Sequence, residues 1–119
     1  MRSLRIKVTC GGEDAERCNQ AFTVAATAVA AGAEVGLWLT GEAAWFGVPG
    51  RAEEFTLPLA TPLADLLAAV VAGGQVTVCT QCAERRGISA DDVLPGIRIA
   101  GASVFTEEIL ADGVQALVY

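Results

Sequence analysis

Apolar residues fall along this chain in short runs broken by glycine and proline, and the runs alternate between strand and helix patterns. Leu4 to Cys10 reads as a strand running into Gly11-Gly12. Asp14 then stands as the N-cap of a helix, with Glu16 in its first turn, where an acid favours the dipole. Cys18, Phe22, Ala25 and Val29 recur at helical spacing up to Gly32, which sits where a glycine C-cap is wanted. In the next strand, Glu34 to Thr40, the run Val35-Gly36-Leu37-Trp38-Leu39 does not alternate with polar residues. Strands of that kind are parallel and covered on both faces.

Gly41 to Gly47 forms a short helix or lid carrying Trp45 and Phe46, and residues 48 to 59, with Pro49, Gly50 and Pro58, read as a surface loop. Thr61 is expected to cap a helix that has Pro62 at its first position, with Leu63, Leu66, Leu67 and Val70 on its inner face and Gly73-Gly74 as its stop. Gln75 to Cys79 is the third strand. A helical piece follows to Gly87, and Ser89 with Asp92 resembles a capping box. Ile97 to Ile99 forms a fourth strand, Ser103 is expected to cap a helix to Asp112, and Val114 to Val118 forms the fifth strand. Such alternation predicts an α/β fold, a three-layer α/β/α sandwich around a flavodoxin-like open parallel sheet of about five strands joined by right-handed crossovers.

The chain has 119 residues, the size of one domain spanning 1–119. Hydrophobic residues make up 53% of it, a surplus that suits a subunit interface in a homo-oligomer. A net charge of −6 argues against nucleic-acid partners, which need clustered Lys and Arg. The apolar stretch Ala21 to Ala33 is too short to span a bilayer, and the basic residues Arg2, Arg5 and Lys7 break up the N-terminus. A soluble cytoplasmic protein without membrane partners is expected.

Four cysteines and no histidine narrow the chemistry further. Without histidine, Ser-His, Cys-His and Cys2His2 sites are excluded, and cysteines in a cytoplasmic chain are read as thiols rather than as a disulfide framework. Cys79 and Cys82 stand three apart where the third strand runs into a helical turn. Unpaired backbone amides and the positive end of the helix dipole there favour a thiolate, and Arg85 and Arg86 follow one turn later. Ligands of open parallel sheets sit beyond the carboxyl ends of the strands. If strand one lies beside strand three, Cys10 and Cys79 share that rim, and Gly11-Gly12 offer open amides. Cys79 and Cys82 are thus the expected reacting pair, with Cys10, Gly11, Gly12, Thr80, Gln81 and Arg85 on the substrate side. Cys82 is either a resolving thiol or a spectator, Cys18 a core residue, and Cys10 core or rim. The eight-residue gap from Cys10 to Cys18 speaks against a four-cysteine metal site, so no metal is expected. Trp45 and Phe46 read as core or interface anchors, Asp91-Asp92 and Glu107-Glu108 as solvated faces. No dinucleotide fingerprint or phosphate loop appears, and no cofactor is expected.

The segments Gly32-Ala33-Glu34-Val35, Leu39-Thr40-Gly41-Glu42, Val78-Cys79-Thr80-Gln81-Cys82, Arg86-Gly87-Ile88 and Leu94-Pro95-Gly96, with Gly101 and Asp112, resemble the DsrE/DsrF-like family over nearly the whole chain. This resemblance implies a flavodoxin-like domain, assembly as trimers or hexamers, and, in sulfur-relay members, a persulfide on a cysteine after the third strand. Cys79 occupies that position. Cys82 and Cys10 depart from the pattern, since carriers of this kind often use a lone cysteine. Three functions follow as expectations: a sulfur carrier or sulfurtransferase-type persulfide handler that accepts sulfane sulfur on Cys79 from donor proteins or small persulfides and passes it to an acceptor; a dithiol redox module using Cys79 and Cys82; or a non-catalytic oligomeric binding subunit.

Overall fold

The computed structural model describes Arg2–Tyr119. Five strands, β1 (Ser3–Val8), β2 (Glu34–Leu39), β3 (Gln75–Cys79), β4 (Ile97–Ala100) and β5 (Val114–Val118), alternate with four helices, α1 (Ala15–Ala30), α2 (Leu63–Gly73), α3 (Thr80–Arg85) and α4 (Ala102–Leu110). Every strand pair is parallel, in the order β4-β3-β2-β1-β5. The expected α/β class and parallel sheet are therefore present. Their order differs from the one considered from the sequence: β1 lies between β2 and β5, and β2 separates it from β3.

Each helix start and stop has a local cause. Gly32 has φ +90°, and behind it the amide of Ala33 reaches back to the Ala28 carbonyl at 3.0 Å, closing the end of α1 as a glycine C-cap does. The expected side-chain N-caps are absent. Asp14 pairs with Arg17 at 3.3 Å instead of capping α1, which is entered through a 3-10 turn over Gly12–Asp14. Pro62 is itself the cap residue of α2, its carbonyl accepting from Asp65 and Leu66, so Thr61 lies outside. Gly101, not Ser103, stands before α4 and accepts from Val104 and Phe105. The Ser89–Asp92 capping box is present, on a 3-10 turn.

The sheet's two faces differ in chemistry. On one, Ile6, Val8, Leu37, Leu39, Val76 and Val78 are fully buried under α1 and α2, against Cys18, Phe22, Leu67 and Val70. Burial of about 25 cal/mol per Å2 of apolar surface makes this the stabilising core. On the other, Arg5, Lys7, Trp38, Thr77 and Arg98 lie beneath α4 alone. The Phe105 ring meets Trp38 edge-on at 5.3 Å, and the Lys7 ammonium sits 4.2 Å over the Phe105 ring. Glu108 completes the layer, accepting from Arg98, from Arg5 at 3.2 Å and from the Trp38 indole at 3.1 Å. It is not the solvated acid expected from the sequence. Burial pushes its carboxyl up, but the hydrogen bonds of Arg98 and Trp38 and the two guanidinium charges outweigh this and hold it below the ordinary value.

The connections from β1 to β4 run through α1, α2 and α3 on the apolar face, where Ala83 of α3 joins the core. Only the connection from β4 to β5, through α4, uses the other face. Neighbouring strands β3 and β4 therefore send their chains to opposite sides. That is the switch point of the sheet, where ligands of open α/β folds bind.

Candidate functional site

Cys79 is the last residue of β3, and its register partner, Ala100, is the last residue of β4. The thiol therefore stands in the crevice that the topology opens between them. Alternation along β3 turns Val76 and Val78 to the apolar core and Cys79, with Thr77, to the α4 side. Cys79 is buried, with 8% of its surface exposed. Its S–H points to the Gln81 Oε1 at 3.9 Å. Thr80 opens α3 beside it, and a Cβ placed on Gly101 would lie 3.7 Å from the Thr80 Oγ1, so the missing side chain leaves the crevice wider.

Cys82 lies on the first turn of α3, half-buried against the apolar core, and its sulfur accepts the Gly41 N–H at 3.3 Å. Gly41 has φ +55°, and a Cβ there would sit 2.5 Å from the Thr9 carbonyl oxygen. Only glycine fits. Arg86 donates to the Cys82 carbonyl at 3.1 Å and pairs with Glu42 at 2.8 Å, tying the end of α3 to the segment after β2. Arg85, the arginine expected on the substrate side, is exposed and has no hydrogen bond or ion pair among the described residues.

The expected contributions from the end of β1 are mostly withdrawn. Cys10 is 6% exposed and turned into the core, its thiol donating to the Asp14 carbonyl at 3.7 Å. Burial, then the charges of Asp14 and Glu13, push its pKa up. Cys18 is fully buried, as expected, and burial followed by neighbouring Cys10 pushes it up to about 12. Both remain neutral thiols near neutral pH. The Gly11 amide, expected to be open, is taken by the Glu13 carboxylate at 2.6 Å, while Gly12 stays exposed. Cys10 and Cys18 thus lie together in the core, apart from the rim position of Cys79. Among the described residues, no group of three or more Cys, Asp or Glu side chains gathers as a metal site.

A cleft of about 320 Å3 opens beside Glu42, one residue beyond the amide that holds Cys82. Phe46 and Phe55, edge-on at 5.7 Å, form its apolar wall, and Arg51 stacks 4.2 Å over the Trp45 ring. Glu13, Glu42 and Glu54 stand around it. Phe46 is thus the core anchor that the sequence suggests, whereas Trp45 is a half-exposed cleft wall. Apart from Gly41 as the start of the short helix or lid, Gly41, Glu42 and Gly101 enter the sequence analysis only through the family resemblance, and Glu13 and Glu54 not at all.

The fold and site define an all-parallel α/β domain with a thiol at its switch point. A family model described as the DsrE/DsrF-like family matches residues 5–118, and the chain belongs to that family. No curated protein sequence matches it. Among solved structures, it is similar to the YchN protein from E. coli, with TM-score 0.83, 18% identity and full coverage of both chains. It is also similar to MTH1491 from Methanobacterium thermoautotrophicum, a protein of unknown function, with TM-score 0.70, 8% identity and full coverage of both chains. BT1422 from Bacteroides thetaiotaomicron, likewise of unknown function, has TM-score 0.61 and 17% identity over 98% of this chain and 94% of its own. At these identities the likeness is one of fold. Among the described residues, no helix is long and apolar enough to cross a membrane.

Proposed function

We propose that this chain is a sulfur carrier that accepts sulfane sulfur on Cys79, within the sulfur-relay type of function that its family suggests. The observation that carries the reading is the position of Cys79 at the carboxyl end of β3, paired with Ala100 at the sheet's switch point. Two chain turns from strand into helix, β3 to α3 and β4 to α4, lie side by side there and frame the thiol. The step is an exchange without net oxidation. The Cys79 thiolate attacks the terminal sulfur of a persulfide R–S–SH, the donor S–S bond breaks, a new S–S bond forms on Cys79, and RS⁻ leaves and takes up a proton. Donors and acceptors are thiol proteins or small persulfides.

Cys82, three residues on, gives the pair a second option. Its attack on the Cys79 sulfur of the persulfide would expel HS⁻ and close a Cys79–Cys82 disulfide, the dithiol redox reading, which the Gly41 hydrogen bond to the Cys82 sulfur favours. Homo-oligomer formation belongs to the same proposal: Leu110, Leu117 and Val118 are exposed at 76%, 39% and 64% along α4 and β5.

Cyanolysis of bound sulfane sulfur tests the reading. After incubation with polysulfide and desalting, Cys82→Ser is expected to release thiocyanate stoichiometrically, wild type a smaller amount because Cys82 expels part of the sulfur as HS⁻, and Cys79→Ser none. Equal release from Cys79→Ser and wild type would remove the proposal.

A further inference from the structure

We infer that Gln81 is a positioning residue for the Cys79 sulfur: its side-chain amide accepts from the neutral thiol and, turned over, donates to the sulfur anion. For the free thiol this rests on the contact between the two side chains. For the sulfur-loaded form it rests on the sulfur-carrier reading above. Among the described residues, Gln81 supplies the one hydrogen-bond partner of the Cys79 sulfur, its Oε1 accepting at 3.9 Å. The two residues differ in burial. Cys79 is buried whereas Gln81 on α3 is exposed, so a solvent-facing polar side chain reaches back to a covered thiol.

That pairing suits both protonation states. A carboxamide carries an acceptor and two donors on one flat group, and a half-turn about its last side-chain torsion exchanges Oε1 for Nε2. At an exposed position no packing resists the turn. When the Cys79 thiol gives its proton to water, the amide oxygen is left facing a negative sulfur. The half-turn replaces that repulsion with an N–H donated to the anion. The charged groups of the neighbouring elements are engaged elsewhere or turned to solvent. On the α4 side, Arg98 is bound to Glu108 and to the Thr77 hydroxyl, Arg5 to Glu108 and Glu34, and Lys7 lies over the Phe105 ring. Glu107 is exposed. On α3, Arg86 is paired with Glu42, and Glu84 and Arg85 are exposed in the last turn. A persulfide on Cys79 is the same case with the negative charge one sulfur further out, and donation from Gln81 slows its loss.

The test compares wild type with Gln81→Met, which keeps the length and loses donor and acceptor, and with Gln81→Glu, which keeps only the acceptor. Both replacements are good helix formers at an exposed position. Iodoacetamide alkylation of Cys79 is followed across neutral and alkaline pH at low ionic strength. Fragment mass spectrometry locates the label, and urea unfolding midpoints are taken alongside. The midpoint of the rate–pH profile should move up by about half a pH unit in Gln81→Met and by about one in Gln81→Glu. Near neutral pH these shifts read as about threefold and about tenfold slower alkylation, with an unchanged alkaline plateau. The variants are independent, so a lowered unfolding midpoint in one leaves the other decisive. A wild-type profile midpoint in either folded variant, or a uniform rate change at every pH as a mere cover over the thiol would give, overturns the inference. Sulfur loading of Cys79 is scored separately. Shifted profiles without loading remove the sulfur-carrier reading alone, and loading with an unshifted profile removes the Gln81 assignment alone.

Discussion

The Gly41 N–H donates to the sulfur of Cys82 at 3.3 Å, from a backbone held at φ +55° against the Thr9 carbonyl. The contact joins the ends of β1 and β2 to α3, and it gives the second cysteine a fixed orientation. Gly41→Ala puts a Cβ into a left-handed conformation and onto the Thr9 oxygen. It should cost about 2 kcal/mol or more and change the alkylation rate of Cys82. Urea unfolding and a timed iodoacetamide reaction measure both. Unchanged stability would contradict the close approach.

Glu108 ties α4 to the sheet through Arg5, Arg98 and Trp38. Glu108→Gln should destabilise the fold by about 1–3 kcal/mol at neutral pH, because two partly buried guanidinium groups lose their counter-charge. The pH dependence follows from the lowered folded-state pKa. A carboxyl that titrates lower in the folded than in the unfolded chain adds stability that is complete above the ordinary value of 4.5 and is lost as pH falls through the folded value. Wild type and Glu108→Gln should therefore converge in urea titrations run at progressively lower pH. A constant gap between them would contradict the charge-based account.

The two buried thiols predict the opposite behaviour at alkaline pH. Cys18 titrates near 9.0 when exposed and near 12 in the fold, so above 9.0 the folded chain holds a proton that the unfolded chain has released. Stability is complete below the unfolded value and declines as pH rises toward the folded one, by at most about 1.4 kcal/mol per pH unit for one thiol. Cys18→Ala should flatten this decline while lowering stability at neutral pH through the space it leaves in the core. Parallel alkaline profiles for the two proteins would sink the prediction.

Leu59 has φ +65° and is fully exposed at the tip of the loop before α2. A left-handed leucine costs about 1–2 kcal/mol, and glycine's greater freedom in the unfolded chain costs about 0.5–1. Leu59→Gly should therefore stabilise by about 0.5–1 kcal/mol in urea unfolding. A loss of stability would mean that Leu59 is held by contacts outside the single chain.

Much of the architecture was readable because short-range signals decide it. Strand β3 ends at Cys79 and β5 spans Val114–Val118 as the apolar runs indicate, and Gly32 closes α1 as its spacing requires. Strand order was not readable, because local pattern encodes neither that β3 pairs with β2 rather than β1 nor that β5 returns to the edge beside β1. The first choice leaves Cys10 two strands from Cys79, and the second puts the switch point at β3 and β4, beside Cys79. Helix starts were misplaced where a backbone carbonyl, from Pro62 or Gly101, accepts the first helical N–H groups and no hydroxyl is needed. Arg85 and Arg86 are neighbours in sequence, and only the packing of α3 against the segment after β2 decides that Arg86 meets Glu42. Glu108 looked solvated because Arg5 lies on β1, 103 residues away, and Arg98 meets it only once the turn from β4 folds α4 back over the sheet.

The central claim is that Cys79 is where incoming sulfur lands. Peptide-resolved mass spectrometry of the intact wild-type chain, exposed to a persulfide donor and then trapped with an alkylating agent, tests it most directly. The account predicts one added sulfur atom on the peptide containing Cys79, lost in Cys79→Ser and longer-lived in Cys82→Ser. Sulfur found only on Cys82, or none on either residue while a control thiol protein becomes loaded, would contradict it.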